Sequence, residues 1–273
     1  MPAENSGSPG AHENPLKKML REGKPVIGTT ITVASAETAA QAATLGFDFL
    51  WIEMEHSPIT LETLRNIILA TRGLKAVPIA RVPVNELWTA KRVLDAGALG
   101  VIFPFCSTPE LAKQAVAACK YPPHGRLGSG PGLAAFRWPA PEGYHTFADQ
   151  NVMVVIIVEE ERAVEQIDAI AATPGVDVIF VGTSDLSFSM GYRGQQDHPR
   201  VQNALKKVVA AGRANDKILG LPVKDSDQIK KYLEEGFLWF QTATELGLMA
   251  RGAQQLLEPL GRAAEPLQKG LLY

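Results

Sequence analysis

Residues 94–103, LDAGALGVIF, hold the pattern that decides the fold: a helix end, a glycine stop and then a short apolar strand. The same phrase recurs in residues 43–50, ATLGFDFL, and in residues 233–240, LEEGFLWF. A repeated unit of this kind is typical of parallel strands joined by helical crossovers. The sequence therefore predicts a chain of alternating strands and helices.

Eight short runs rich in β-branched and aromatic residues alternate with amphipathic helical segments along the chain. They begin at residues 26, 47, 77, 100, 153, 178, 218 and 237 and read VIGTTITV, FDFLWIEM, VPIARVP, GVIFPF, MVVIIVE, VIFVGTSD, ILGLPV and FLWFQTAT. Eight such units close a barrel better than they form an open sheet, so we predict an α/β fold, a single-domain (β/α)8 TIM barrel. The barrel should span residues 15–260, between a flexible polar tail, residues 1–14, and a C-terminal tail, residues 261–273, that serves assembly.

The composition favours a small molecule as the partner of this protein. The 273 residues carry a formal net charge of -2, which gives no basic face for nucleic acid or an anionic membrane. Two cysteines are too few for a disulfide framework, and the sequence has no apolar run long enough to span a membrane. We therefore expect a soluble, cytoplasmic protein.

One connection is unusually long for a compact domain. Residues 121–150 follow the fourth helix and are rich in glycine, proline and aromatic residues. Loops of this length are usually functional or take part in assembly. Because this one begins at the face opposite the catalytic end of a barrel, assembly is at least as well supported as substrate contact.

Polar residues at the carboxyl ends of the strands are the candidates for chemistry, because that face holds the active site of such barrels. The candidates are Glu53, Glu55, His56, Arg81, Glu159, Ser184, Asp185, Lys224, Thr242, Thr244 and Glu245. Glu159 and Asp185 follow neighbouring strands and offer the hard oxygen ligands that Mg²⁺ and Mn²⁺ prefer. On spacing alone, however, the same pair could be an ordinary polar rim.

For three further candidates, a catalytic role is one of two possible interpretations. Arg81 lies in an apolar strand, where a guanidinium needs an anionic partner such as an enolate or a carboxylate. His56 could be a general base or an ordinary loop histidine. Lys224 could form a Schiff base, but Asp225 and Asp227 beside it would keep its ammonium group protonated.

Several motifs together resemble the HpcH/HpaI aldolase family, over nearly the whole range from Pro15 to Leu260. These motifs are EMEHSP (53–58), RVP (81–83), RVLDAGALGVIFPF (92–105), YPPHG (121–125), VE (158–159) and VIFVGTSDLSFSMGYRG (178–194). The segment GTSDLS followed by MGY and then by His198 and Pro199 is the most specific signal.

The resemblance implies a class II aldolase, a carbon–carbon lyase that reversibly cleaves a 4-hydroxy-2-oxo acid to pyruvate, or a related 2-oxo acid, and an aldehyde through a metal-bound enolate. It implies Glu159 and Asp185 as ligands of Mg²⁺ or Mn²⁺, with Co²⁺ or Zn²⁺ as alternatives. His56 would be the base, held by Glu53, and Arg81 would stabilise the enolate oxygen. The implied substrate-binding residues are Arg81, Gly182, Thr183, Ser184, Thr30 and Ile157. Relatives are usually hexamers, trimers of dimers that exchange the last helix between neighbours.

The chain departs from the family pattern at positions that bear on the substrate. Glu53 replaces a usual aspartate, Thr30 a tryptophan and Ile157 a glutamine, so we expect a roomier and less polar pocket. Thr242 and Thr244 stand where relatives show glycine and aspartate. Two alternatives therefore stay open: an oxaloacetate-type decarboxylase or CoA-ester lyase on the same barrel, and a barrel that binds a 2-oxo acid without turnover.

Overall fold

The computed structural model describes residues 13–262 and forms a closed barrel in which eight parallel strands pair in chain order. The strands are β1 Val26–Ile31, β2 Phe49–Glu53, β3 Val77–Arg81, β4 Gly100–Phe103, β5 Met153–Val158, β6 Val178–Val181, β7 Ile218–Pro222 and β8 Trp239–Thr244. All eight predicted runs contain one of these strands, so the predicted (β/α)8 barrel is confirmed.

Helices connect consecutive strands and surround the barrel. They are α1 Pro15–Arg21, α2 Ala36–Ala43, α3 Leu61–Ala70, α4 Leu87–Ala96, α5 Pro109–Ala118, α6 Gly132–Arg137, α7 Tyr144–Asn151, α8 Glu161–Glu165, α9 Ile167–Ala171, α10 Thr183–Ser189, α11 Pro199–Ala214, α12 Ser226–Glu234 and α13 Glu245–Leu257, followed by a 3-10 turn, Glu258–Leu260. Ser35, Thr60 and Thr108 cap helix N-termini with their side chains, and Gly97 ends α4 with a φ of 109°. In residues 13–262 we find no helix with the length and apolar character of a membrane span.

Aromatic side chains fill the barrel below its carboxyl end. The rings of Phe49 and Trp239 lie 4.3 Å apart, and those of Trp51 and Phe180 lie 4.9 Å apart. Gly28 makes room for this layer, because a Cβ atom at that position would lie 2.2 Å from the Phe49 ring. The interior is therefore solid at this level, and a ligand can enter only from the mouth above it.

The seam between β1 and β8 closes the barrel with an irregular register. Gly28 pairs with Gln241, but Thr30 pairs with Thr244, so β8 carries one extra residue between the two pairs. Side chains stabilise this bulge: Thr29 Oγ1 donates to the Ala243 carbonyl and Thr242 Oγ1 donates to the Gly28 carbonyl. Bulges beside active sites often change the direction of a side chain.

The long connection differs from the continuous loop that its composition predicted. Residues 121–150 contain α6 and most of α7, and the buried Arg137 at the end of α6 donates to the Thr71 carbonyl at the end of α3. The predicted tails, residues 1–14 and 261–273, lie mostly outside the described residues. Asn14 is an exception, because it is fully buried, caps α1 and donates two hydrogen bonds to Asn151, one from its main-chain N–H and one from its side-chain amide.

Candidate functional site

Four of the predicted site residues come from neighbouring elements at the mouth of the barrel. Glu53 ends β2 and Arg81 ends β3, and their backbones are in register. Glu159 directly follows β5, and Asp185 lies in the first turn of α10, after β6. The closed barrel places all of these chain positions on one rim.

Glu53 is a buried carboxylate with four hydrogen-bond donors. Its Oε2 atom accepts from Arg81 Nε at 2.6 Å and from the Trp51 indole at 3.1 Å. Its Oε1 atom accepts from the main-chain N–H groups of Glu55 and His56 at 2.8 and 3.0 Å. The anionic partner that Arg81 was expected to need is therefore supplied first by the protein itself, and Glu53 fixes both the guanidinium and the turn after β2.

Glu55 lies between the Arg81 guanidinium and the His56 imidazole. Its Oε2 atom lies 3.2 Å from Arg81 Nη1, without hydrogen-bond geometry, and 3.6 Å from His56 Nε2. Burial raises the pKa of Glu55 to about 7. The positive charge of Arg81 lowers this pKa, whereas the charges of Glu53 and Asp185 raise it. The His56 side chain is 50% exposed. Glu53 was predicted to hold the His56 imidazole, and this stays a prediction, but the geometry favours Glu55 for that task.

Glu159 is almost fully buried, with 3% of its surface exposed. Its Oε1 atom accepts from the Phe105 main-chain N–H at 2.8 Å, and Phe105 holds the uncommon φ of 51°. Burial raises the pKa of Glu159 to about 7; the Phe105 hydrogen bond and the charge of Arg81 lower this pKa, whereas the charges of Asp185 and Glu55 raise it. The Glu159 carboxylate is therefore buried within the influence of two other carboxylates and one guanidinium.

Gly182 brings the start of α10 against Glu159. Its N–H donates to the Val158 carbonyl, and a Cβ atom here would lie 2.9 Å from both Cβ and Oε2 of Glu159 and 3.2 Å from Ile157 Cγ2. Only glycine lets the helix approach the carboxylate this closely. Asp185, three residues later, is exposed at the mouth, and its charge acts on both Glu55 and Glu159.

If Glu159 is a metal ligand, we predict that Gly182→Ala weakens Mn²⁺ binding at least tenfold, because the added methyl group must displace the Glu159 carboxylate by some tenths of an ångström. Isothermal titration with Mn²⁺ measures this. Gly132→Ala is the matched control, since a Cβ atom there meets nothing within 4 Å and the titration should be unchanged. Equal affinity of the Gly182 variant and the parent protein would contradict the assignment of Glu159 as a ligand.

The rim has the charge and the donor atoms that suit a divalent cation. The carboxylates of Glu53, Glu55, Glu159 and Asp185 are set against one guanidinium, that of Arg81. Carboxylate oxygens are the preferred ligands of Mg²⁺ and Mn²⁺. Among residues 13–262, no three His, Cys, Asp or Glu side chains form a complete ligand set. The assignment of Glu159 and Asp185 as the metal ligands stays a prediction.

The predicted substrate-binding residues lie around this rim. Gly182, Thr183 and Ser184 begin α10, and Thr183 Oγ1 donates to Gln196. Ile157 is buried beneath Glu159. Thr30 is buried too, but it accepts a hydrogen bond from Gln241 on β8, so this side of the pocket is more polar than expected.

The remaining candidates do not join the cluster. Lys224 is exposed, and its N–H donates to Gln228 in the first turn of α12. Thr244 caps α13, where Glu245 accepts hydrogen bonds from the Thr32 and Val33 main chain.

The comparisons with known proteins cover the barrel and its rim. A family model described as HpcH/HpaI aldolase/citrate lyase matches residues 28–252. A hydroxypyruvate/pyruvate aldolase of Roseobacter denitrificans is 35% identical over 86% of this chain and 93% of its own. A 5-keto-4-deoxy-D-glucarate aldolase of Salmonella arizonae is 34% identical over 90% and 96%. The crystal structure of an HpcH/HpaI aldolase/citrate lyase family protein from Burkholderia cenocepacia, 34% identical, superposes with a TM-score of 0.85 over 91% of this chain and 100% of that one.

Proposed function

Because the chain belongs to the HpcH/HpaI aldolase/citrate lyase family and is a carbon–carbon lyase, we propose that it reversibly cleaves a 4-hydroxy-2-oxo acid to pyruvate, or a related 2-oxo acid, and an aldehyde. The observation that carries this proposal is the Glu159 carboxylate, buried among other carboxylates beside Gly182 at the barrel mouth. Relatives named as aldolases of such acids support it.

Glu159 and Asp185 would hold the metal ion, with Mg²⁺ or Mn²⁺ as the proposed ions. Such an ion, when bound, polarises the 2-oxo group and offsets the negative charge that develops on its oxygen. The main-chain N–H groups of Thr183 and Ser184, at the start of α10, are the proposed site for the substrate carboxylate. These elements fix the 2-oxo acid end of the substrate against β5 and β6.

Arg81 has one nitrogen left for the substrate in this arrangement. Its Nε and Nη1 atoms lie 2.6 and 3.2 Å from Glu53 and Glu55. We assign Nη2 to the oxygen of the forming enolate, where a fixed positive charge lowers the barrier without reorganisation. The two glutamates hold the guanidinium in place before the substrate arrives.

His56 is the proposed base, paired with Glu55. In the cleavage direction the imidazole removes the proton of the C4 hydroxyl, the C3–C4 bond breaks, and its electron pair passes into the enolate of pyruvate. The aldehyde leaves, and the His56 imidazolium returns the proton to C3, which gives pyruvate and restores the free base. Glu55 Oε2, 3.6 Å from His56 Nε2, stabilises the imidazolium that forms.

A pyruvate-release assay with a panel of 4-hydroxy-2-oxo acids, run with EDTA and then with Mg²⁺ or Mn²⁺, tests the proposal. We expect metal-dependent release together with exchange of the pyruvate methyl protons in D₂O. Absence of both reactions with every 2-oxo acid and every metal would overturn it. Oxaloacetate is included, because decarboxylation faster than any aldol cleavage would favour the decarboxylase alternative.

We predict that His56→Ala lowers pyruvate release by about 10²- to 10⁴-fold, the usual contribution of a general base. The metal-dependent rise in melting temperature should persist in this variant, because His56 is not a proposed ligand. His124→Ala, at an exposed position in the connection after α5, is the control. If His56→Ala kept full activity, the base would have to be another group.

A homo-oligomer located in the cytoplasm, a hexamer with exchange of α13, is part of the proposal. Leu246, Met249, Leu256 and Leu260 are exposed on α13 and the turn after it, and the only buried side chain of α13 is Glu245. A helix with so little buried surface gains stability by packing against another subunit. The free, buried cysteines Cys106 and Cys119 are in keeping with a reducing compartment.

A further inference from the structure

An amide group lies inside the barrel at the seam between β1 and β8. Gln241 Nε2 donates to Thr30 Oγ1 at 2.6 Å. Trp239 and Gly28 face the barrel interior, because the Trp239 ring and a Cβ atom placed on Gly28 both contact the Phe49 ring. Gln241 and Thr30 each follow one of these residues by two positions along their strands, so their side chains point inward as well. An amide on the inner wall directly above the aromatic layer needs a physical reason.

The Gln241 side chain is reached from the mouth and not from below. Trp239 and Phe240, the residues before it, are fully buried, whereas Gln241 is half-buried. In an eight-stranded barrel, β1 is four strands away from β5. The Gln241–Thr30 pair therefore lies on the wall that faces Glu159 across the mouth.

The hydrogen bond to Thr30 uses one of the several hydrogen-bond donors and acceptors of the Gln241 amide. A glutamine side chain has two N–H donors and an oxygen with two lone pairs. In the part of the chain that the structure describes, the Thr30 bond is the only hydrogen bond of this side chain. A ligand in the mouth can therefore meet an acceptor and a donor at the same point.

We propose that Gln241 contacts the substrate and selects for a hydroxyl group on it, at the end opposite the metal ligands. This proposal rests on the proposed function and names its substrate class: hydroxylated substrates over their apolar analogues. A hydroxyl both donates and accepts, so it can satisfy the free oxygen and the free N–H of the amide. A methyl group at the same place would leave the desolvated amide without a partner, which is costly.

Matched substrate pairs test this selection, because in each pair a hydroxyl group replaces a methyl group. Glycolaldehyde is compared with propanal as the aldehyde, with pyruvate as donor. Hydroxypyruvate is compared with 2-oxobutanoate as the donor, with one fixed aldehyde. The preference is the ratio of kcat/KM within a pair, and the pair that shows it identifies whether the hydroxyl belongs to the aldehyde or to the donor.

The variant is Gln241→Leu, which keeps the size of the side chain and removes its hydrogen bonds. We expect the unmodified protein to prefer the hydroxyl in one pair by about 10-fold or more, and the variant to reduce that preference at least tenfold. Thr29→Val is the control, since Thr29 donates to Ala243 in the same seam but alternates to the outer face, so the preference should not change. A preference absent from both pairs in the unmodified protein would overturn the proposal.

Two further results separate this proposal from its alternatives. If Gln241→Leu lowers kcat/KM equally for both members of each pair, Gln241 only supports Thr30 and the seam, and the proposal fails. Exchange of the pyruvate methyl protons in D₂O needs no aldehyde and reports the metal site alone. Exchange with no hydroxyl preference contradicts only the role of Gln241, whereas no exchange and no cleavage contradict the proposed function itself.

Discussion

Glu159→Gln should lower pyruvate release by at least about 10³-fold and abolish the metal-dependent rise in melting temperature. The amide keeps the shape of the side chain and an oxygen for the Phe105 N–H, so the main chain around it should not move. What is lost is the negative charge that makes the group a strong ligand. Initial rates and thermal shift with and without Mn²⁺ measure the two effects.

The same variant should be more stable than the parent protein at pH 8 when no metal is present. The pKa of Glu159 is raised to about 7 in the folded state, from an ordinary value of 4.5, mainly by burial. The folded state therefore holds this proton more tightly, and metal-free stability declines as the pH rises from 4.5 through about 7. Glutamine does not titrate, so it avoids this loss. A weaker decline should remain, because the pKa of Glu55 is also raised to about 7.

Glu161→Gln is the matched control for both measurements. Glu161 lies two residues further on, exposed in the first turn of α8, so the same change there should alter neither the metal effect nor the pH dependence. A Glu159→Gln protein that kept its metal-dependent thermal shift would exclude Glu159 as a ligand. If the metal-free variant were less stable than the parent protein at pH 8, neighbouring groups would already stabilise the negative charge of Glu159 without a metal ion.

The fold could be predicted almost completely, because the information for a parallel barrel is local. Each unit carries its own apolar strand, its amphipathic helix and often a glycine stop such as Gly97. The connection between Tyr121 and Gln150 was harder, because α6 and α7 are short and their stability comes from contacts distant in sequence. Arg137 on Thr71 and Asn14 on Asn151 are two such contacts.

Strand position predicted which residues share the rim, but not which of them contact each other. Strand position brought Glu53, Arg81, Glu159 and Asp185 to one rim, as the barrel requires. Which carboxylate contacts Arg81 and which contacts His56 depends on side-chain geometry. The contacts of Glu55 with these two residues therefore could not be inferred from the sequence. The hydrogen bond from the Phe105 N–H to Glu159 could not be predicted either, because almost any residue at that position would supply the same main-chain donor. Gln241 was overlooked although its position gave a signal: an amide two residues after an inward-facing tryptophan.

Arg81→Lys should reduce kcat by about 10²- to 10³-fold although it conserves the charge. Arg81 is 16% exposed and contacts Glu53 and Glu55 through different nitrogens, which leaves its third nitrogen for the substrate. A lysine ammonium group cannot reproduce this planar arrangement. It cannot contact the carboxylate oxygens of Glu53 and Glu55 and the enolate oxygen at the same time. We also expect a loss of stability of about 3 kcal/mol, because Glu53 remains buried with a poorer partner.

Arg162→Lys makes the same substitution in an exposed ion pair, in which Arg162 Nε lies 3.0 Å from Glu160. Surface pairs contribute about 0–1 kcal/mol, so this control should change neither rate nor stability measurably. Urea unfolding of each variant, run beside the kinetics, shows that the rates come from folded protein. If Arg81→Lys lost stability but kept its kcat, Arg81 would serve only to neutralise Glu53 and Glu55. The charge on the enolate oxygen would then have to be met by the metal ion alone.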